Sequence, residues 1–152
     1  MQGGISAGMG GFADLNNPNA RPKVRNPIMT CALPWAIMIA GSILGSVLGM
    51  IFGPLAYIGT LLQLAGYGLF LFSGWSMAKE LKNTTNDPGF NPVFALIPCL
   101  NIYALAFLVP AQVTKAKQMA RSQQPTRGFI VYLLLPLYAL AADLNDLAGA
   151  QK

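Results

Sequence analysis

No histidine occurs anywhere in the 152 residues, which removes the commonest general base and the commonest metal or haem ligand. Acidic groups are almost as scarce: Glu80 is the only glutamate, and no charged residue of either sign lies between Asn26 and Ala78. Only 10% of the chain is charged, against about a quarter of an average soluble domain. Ten Lys/Arg and five Asp/Glu cannot provide a polar shell for a soluble protein of this size. Two cysteines, Cys31 and Cys99, both fall in apolar segments, which excludes a disulfide framework and a CxxC redox or zinc site. Glycine-rich nucleotide loops are missing as well, because the clustered glycines stand in apolar sequence with no following Lys-Ser/Thr. Together these absences predict no catalytic residues, no metal site and no cofactor.

What remains is apolar. Hydrophobic residues make up 54% of the chain and the mean hydropathy is +0.49, so lipid is the solvent that this composition suits. The expected fold class is an all-α integral membrane protein. It would have a helical hairpin of two long spans and two shorter proline-kinked apolar segments, three to four transmembrane helices in all. The charge-free stretch divides at Gly53-Pro54, a turn signal, into spans of about 28–52 and 55–78. Each is about 36 Å long as a helix, enough to cross a bilayer with some tilt. The apolar runs 92–113 and 128–142 carry Pro98, Pro110 and Pro136, and either is expected to cross or to re-enter. Four crossings would divide the cations six to four across the membrane. A re-entrant third run would divide them nine to one, the stronger bias, with the N-terminus cytoplasmic.

Residues 1–25 form a Gly/Asn-rich arm before a helical membrane domain over 26–152. The arm lacks a basic start and an apolar core, so it does not read as a secretory signal. It cannot bury enough surface to order itself and calls for a partner if it is held. Two pairs of echoes, Asn26-Pro27-Ile28 with Asn91-Pro92-Val93 and Ile97-Pro98 with Leu135-Pro136, raise the question of an internal duplication.

The most specific motif is a run of GxxxG steps through Gly41, Gly45, Gly49 and Gly53, faced in the second span by Gly59, Gly66 and Ser73. Small residues at these spacings let two helix backbones approach closely. The face serves either the hairpin itself or a helix of another subunit. Cations flank the apolar runs: Arg21, Lys23 and Arg25, then Lys115, Lys117, Arg121 and Arg127 are expected to contact lipid headgroups or a partner. This placement beside spans argues against nucleic acid. Gln63 and Asn101 are the strongly polar amides deep in apolar runs, suited to hydrogen bonds between helices or to lining a path. Trp35, Tyr57, Trp75, Tyr132 and Tyr138 suggest an interfacial aromatic belt, and Asp143 and Asp146 are expected to be solvated in a polar tail.

The order Arg25-Asn26-Pro27, Gly74-Trp75, Lys79-Glu80-Leu81-Lys82, Asn91-Pro92-Val93, Pro98 and Ile102-Tyr103 resembles a domain-of-unknown-function family of small bacterial inner-membrane proteins. The resemblance covers roughly residues 25–120, and the long uncharged stretch from Asn26 to Trp75 departs from that family's compact pattern. It implies a multi-pass protein of the bacterial inner membrane and brings no activity with it. The expected role is a non-catalytic accessory or scaffold subunit of a larger membrane complex, with lipids and other subunits as partners. A hetero-complex is favoured over a homo-oligomer, and a small oligomeric channel or transporter component is the alternative.

Overall fold

In the computed structural model, residues 22–150 are described, and among them every regular element is helical. Two helices dominate. Helix α1, Pro27–Ile51, starts where the Asn26 side chain accepts hydrogen bonds from the Ile28 and Met29 amides, with Pro27 in the first turn. An asparagine cap followed by proline satisfies otherwise orphaned amides and pre-sets the helical φ. After a tight turn over Gly53–Leu55, helix α2 runs from Ala56 to Thr85 and ends on Asn86 in the left-handed region, at φ 46°. Both helices are long and apolar enough to cross a membrane, and they are the only two of that kind among the described residues.

Asp87 then makes a side-chain turn to the Gly89 amide, and Asn91 caps a short 3-10 turn over Pro92–Ala95. Beyond Pro98, Cys99 turns the chain at φ 69° into α3, Leu100–Tyr103, which continues through a π-turn over Ala104–Leu108 into α4, Val109–Met119. Helix α5 is Phe129–Leu134, and Pro136 opens α6, Pro136–Ala150. The runs 92–113 and 128–142 therefore do not form single long helices. Pro98 and Pro136 each stand where the chain reverses, because proline denies the preceding residue a helical conformation.

Contacts along the long hairpin show how far each run travels. Gln112 and Lys115 reach Asp87 at the end of α2, whereas Pro98, Cys99 and Ile102 face Met38, Tyr67 and Phe70 near its middle. Leu134 and Pro136 likewise face Trp35 and Phe70, while Asn145 of α6 bonds the main chain of Arg25. Both later runs thus leave one end of the hairpin, turn back roughly midway and return to the same end. From Arg25 to Trp35 and from Glu80 to Phe70 is ten residues each, about 15 Å of helix.

This end, the base, holds the buried core: Met77, Leu81, Val109, Val113, Leu137, Leu140, Leu144 and Leu147 among others. No fully buried member of that core lies between Ala32 and Ser76. Lys23, Arg25, Lys79, Lys82, Lys115, Lys117, Arg121 and Arg127, all the cations of the described residues, also belong to the base. The outer half of the hairpin has no charge and exposes large apolar side chains, with Met50 at 87% and Tyr57 at 73%.

Candidate functional site

Three arrangements bring the singled-out residues together. The first is the α1–α2 contact. A Cβ placed on Gly59 would lie 2.3 Å from Cα of Gly45 and 2.4 Å from the carbonyl oxygen of Gly41, so backbone meets backbone there. Gly41 faces Gly59 and Gln63, Gly49 faces Ala56, and Gly66 faces Pro34 and Met38. Ser73 is half-buried near Thr30, Leu33 and Pro34. Gly53 falls beyond the end of α1, in the turn, with open space around it. Helix α2 thus occupies the glycine face at Gly41 and Gly45, leaving no room there for another helix.

The second is a charged cluster at the base. Lys117 belonged to the group expected at lipid headgroups, but its side chain is buried. Its ammonium donates to Asp143 at 2.8 Å, to Asp146 at 3.0 Å and to the Pro125 carbonyl at 3.0 Å. Arg127, from the same group, donates to both aspartates, at 2.5 and 2.8 Å. Asp143 is fully buried rather than solvated, and it also accepts from the Tyr132 hydroxyl at 2.6 Å. An unpaired buried charge is prohibitively costly, so each cation brought inside by α4 and the following loop is matched by a carboxylate of α6. Asp146 resists burial as a charge, yet hydrogen bonds from Arg127 and Lys117 outweigh that and hold its carboxyl below the usual range. With its oxygens engaged by Lys117, Arg127 and Tyr132, Asp143 is a clasp between elements rather than a poised base.

The remaining cations divide. Arg25 forms a two-pronged ion pair with Glu80, whose carboxylate also accepts from the Lys23 main chain. Lys115 pairs with Asp87 at 2.8 Å, and this contact, with help from Gln112 and Gly89, lowers the Asp87 carboxyl to about 2. Arg121 is exposed, just past α4, at φ 51°. Arg21 lies outside the described residues, as does most of the arm 1–25; of its last residues, 22–25, the Lys23 and Arg25 amides donate to Glu80 and Asn145 at the base. Sequence reasoning missed Glu80, Asp87, Tyr132, Asp143 and Asp146 as partners. The i, i+3 spacing of Asp143 and Asp146 was a usable signal, since it puts both on one face of α6.

The third arrangement concerns the two amides. Gln63 is exposed on the outer half of α2 and makes no hydrogen bond among the described residues. Asn101 is 3% exposed, and its side-chain oxygen is buried without a partner. It lines two adjoining cavities of about 170 and 370 Å³, walled by Trp35, Met38, Tyr67, Phe70, Ile102 and the Leu134–Pro136 turn. The aromatic belt is correspondingly incomplete: Trp35 stands at this midway cavity and Tyr132 is buried, while Trp75 lies under the Lys79 ammonium at 5.4 Å. Among the described residues no group of three His, Cys, Asp or Glu side chains converges as a metal site. Comparison with protein-family models, with curated proteins and with solved structures finds no match for the chain.

Proposed function

We propose that this chain is a non-catalytic accessory subunit of a larger bacterial inner-membrane assembly, anchored by α1 and α2 and joined to its partners through the exposed face around Gln63. Two features support the membrane placement. The hairpin is long, charge-free and largely uncovered, and all described cations stand at one end of it. Positive charge on one side is the orientation signal of membrane proteins, so the base faces the cytoplasm, with α3–α4 and α5–α6 as half-depth re-entrant hairpins. Their irregular turns at Pro98 and Leu135-Pro136 pack against α1 and α2, as broken backbone at such depth requires.

One observation carries the association. Ser46 and Thr60 return their hydroxyl bonds to their own helices, but the Gln63 amide does not. An amide facing hydrocarbon without a partner costs several kcal/mol, of the order of ~2–7. A neighbouring span with its own polar side chain removes that cost, as hydrogen bonds across membrane helices do.

The test is gentle solubilisation followed by mass spectrometry of co-purifying chains, for the wild type and Gln63→Leu. Unlike chains that accompany the wild type and are lost from Gln63→Leu are the expected result. Isolation as a lone monomer with both sequences sinks the reading. A symmetric homo-oligomer that Gln63→Leu disperses would favour the channel alternative instead, with Gln63 turned toward the axis.

A further inference from the structure

Asn101 and Gln63 differ in shape of surroundings. Gln63 is exposed on the charge-free half of the hairpin, beside Gly41, whereas Asn101 sits in a concavity built by four segments of chain: the middle of α1, the middle of α2, the Pro98 turn with α3, and the Leu135-Pro136 turn. No charged residue lines either cavity; the nearest charge is Asp143, behind the wall of the smaller cavity, where it accepts from the hydroxyl of the lining residue Tyr132 at 2.6 Å. The walls are apolar and aromatic, with Trp35, Tyr67 and Phe70 prominent. Asn101 is the one lining residue with a fully buried side-chain oxygen that has no partner, and the Trp35 indole and the Tyr67 hydroxyl are the other polar groups of the second cavity's wall. An apolar, aromatic concavity of a few hundred Å³ with a small number of polar groups is the form of a small-molecule site rather than of a helix seat. Helix seats in membranes are lined by small residues instead.

We propose that this cavity binds an uncharged, membrane-dissolved lipid whose planar ring carries a carbonyl or hydroxyl oxygen, with that oxygen on the Asn101 amide. The inference rests on the membrane placement above, because such a molecule reaches the cavity only through hydrocarbon. Its chemistry follows from exclusion and fit. A phospholipid must keep its charged headgroup near the base, where the cations are. A bare acyl chain fills the volume but leaves the amide unpaired. A ring oxygen can pair with the Asn101 side chain: a carbonyl accepts from the amide N–H, whereas only a hydroxyl, after rotation of the amide, donates to the buried amide oxygen that lacks a partner. The ring itself stacks against the indole and phenyl walls. Pro98 and Pro136 hold the two turns that close the site, so the re-entrant hairpins give the cavity its shape.

The test uses the full chain in phosphatidylcholine vesicles, with flotation measured on the same samples used for photolabelling. The probe is 4-decylbenzophenone, a ring ketone that crosslinks on illumination. Decylbenzoquinone and decylbenzene serve as competitors of matched chain length. Labelling is expected at Trp35, Met38, Phe70 or Ile102, and the quinone should displace it at a concentration about five- to tenfold lower than the hydrocarbon, one neutral hydrogen bond's worth. In Asn101→Leu that ratio should fall to about one. Equal displacement by both competitors in the wild type overturns the proposal without needing the variant. Labels spread evenly over the outer faces of α1 and α2 overturn it too. If the chain does not float with the vesicles, the membrane placement fails and the site with it; if it floats and the competitors tie, only the site fails.

Discussion

Between Ile39 and Leu64 the two long helices meet backbone to backbone, with Gly59 so close to Gly45 that a methyl would overlap it. At the base the same two helices carry larger side chains and are surrounded by four short helices. There the charges of Lys117, Arg127, Asp143 and Asp146 link α4, the 120–128 loop and α6. The outer half has no charge and no enclosed core, and the base has both. The contrast reflects what each region must hold together. Two continuous helices satisfy their own backbone and need only a close surface, which small residues on both helices provide. Broken segments present turns, caps and ends, and elements this short need specific polar links to fix how they dock.

If the base depends on its clasp, removing one member has the largest effect. Asp143→Leu leaves the Lys117 ammonium, whose side chain is 4% exposed, to share Asp146 with Arg127 as the sole remaining carboxylate of the cluster, and takes a partner from Tyr132. Loss of one partner of a buried pair costs about 3–5 kcal/mol. Native-state hydrogen exchange should show α5 and α6 losing protection while the outer amides of α1 and α2 keep theirs. Adding Lys117→Met to Asp143→Leu should restore a large part of the loss, because apolar replacement of both partners leaves one cation, Arg127, with one carboxylate, Asp146. Equal loss of protection at both ends of the molecule would mean that the two regions are one cooperative unit and that the comparison is false.

The reciprocal change is Gly59→Ala. Its methyl meets the Gly45 and Gly41 backbone, which has no rotamer to move aside, so the helices must separate or slide. Overpacking of this kind costs about 1–3 kcal/mol. The expected signature is a lower resistance of the hairpin to SDS, with α5 and α6 unchanged. Gly53→Ala is the matched control: nothing lies within 4 Å of that position, so its effect should stay within about 0.5 kcal/mol. A Gly53→Ala loss as large as that of Gly59→Ala would refute the close-packing account.

The two regions were also unequally legible in the sequence. The hairpin could be read because its signals are local: an uncharged stretch, a Gly-Pro turn in the middle and small residues every four positions. Even the echo of Asn26-Pro27 in Asn91-Pro92 has a local cause, since both are asparagine caps followed by proline, and it needs no duplication. The reversal at Pro98 and Pro136 was half legible, as a break whose direction only contacts reveal. The base was opaque. Lys117 and Asp143 are 26 residues apart, and a basic stretch followed later by two aspartates in a polar tail looks the same whether solvated or clasped. What distinguishes them is the packing of α4 against α6, which no spacing rule contains.

Acid gives the smallest and most graded way to separate the regions. The Asp146 carboxyl is held below its ordinary value by Arg127 and Lys117, against the opposing effect of burial. A depressed carboxylate stabilises the folded state fully above the unfolded value, near ~3.9, and that contribution disappears as pH falls through the lower folded value. Asp87, lowered to about 2 chiefly by its Lys115 hydrogen bond, follows the same sign, with its contribution fading between ~3.9 and about 2. The base should therefore loosen progressively below about pH 4, while the uncharged outer hairpin has nothing to titrate. Salt should separate the two carboxylates further, because the Asp87–Lys115 pair has a half-exposed lysine and is screened, whereas the Lys117 side is enclosed. The unfolding midpoint of Asp146→Asn, followed from pH 6 to pH 2, is expected to start lower than the wild type and to decline less. A wild-type midpoint that is flat across that range, or a variant that remains equally acid-sensitive, would show that the clasp does not hold the base as the geometry indicates.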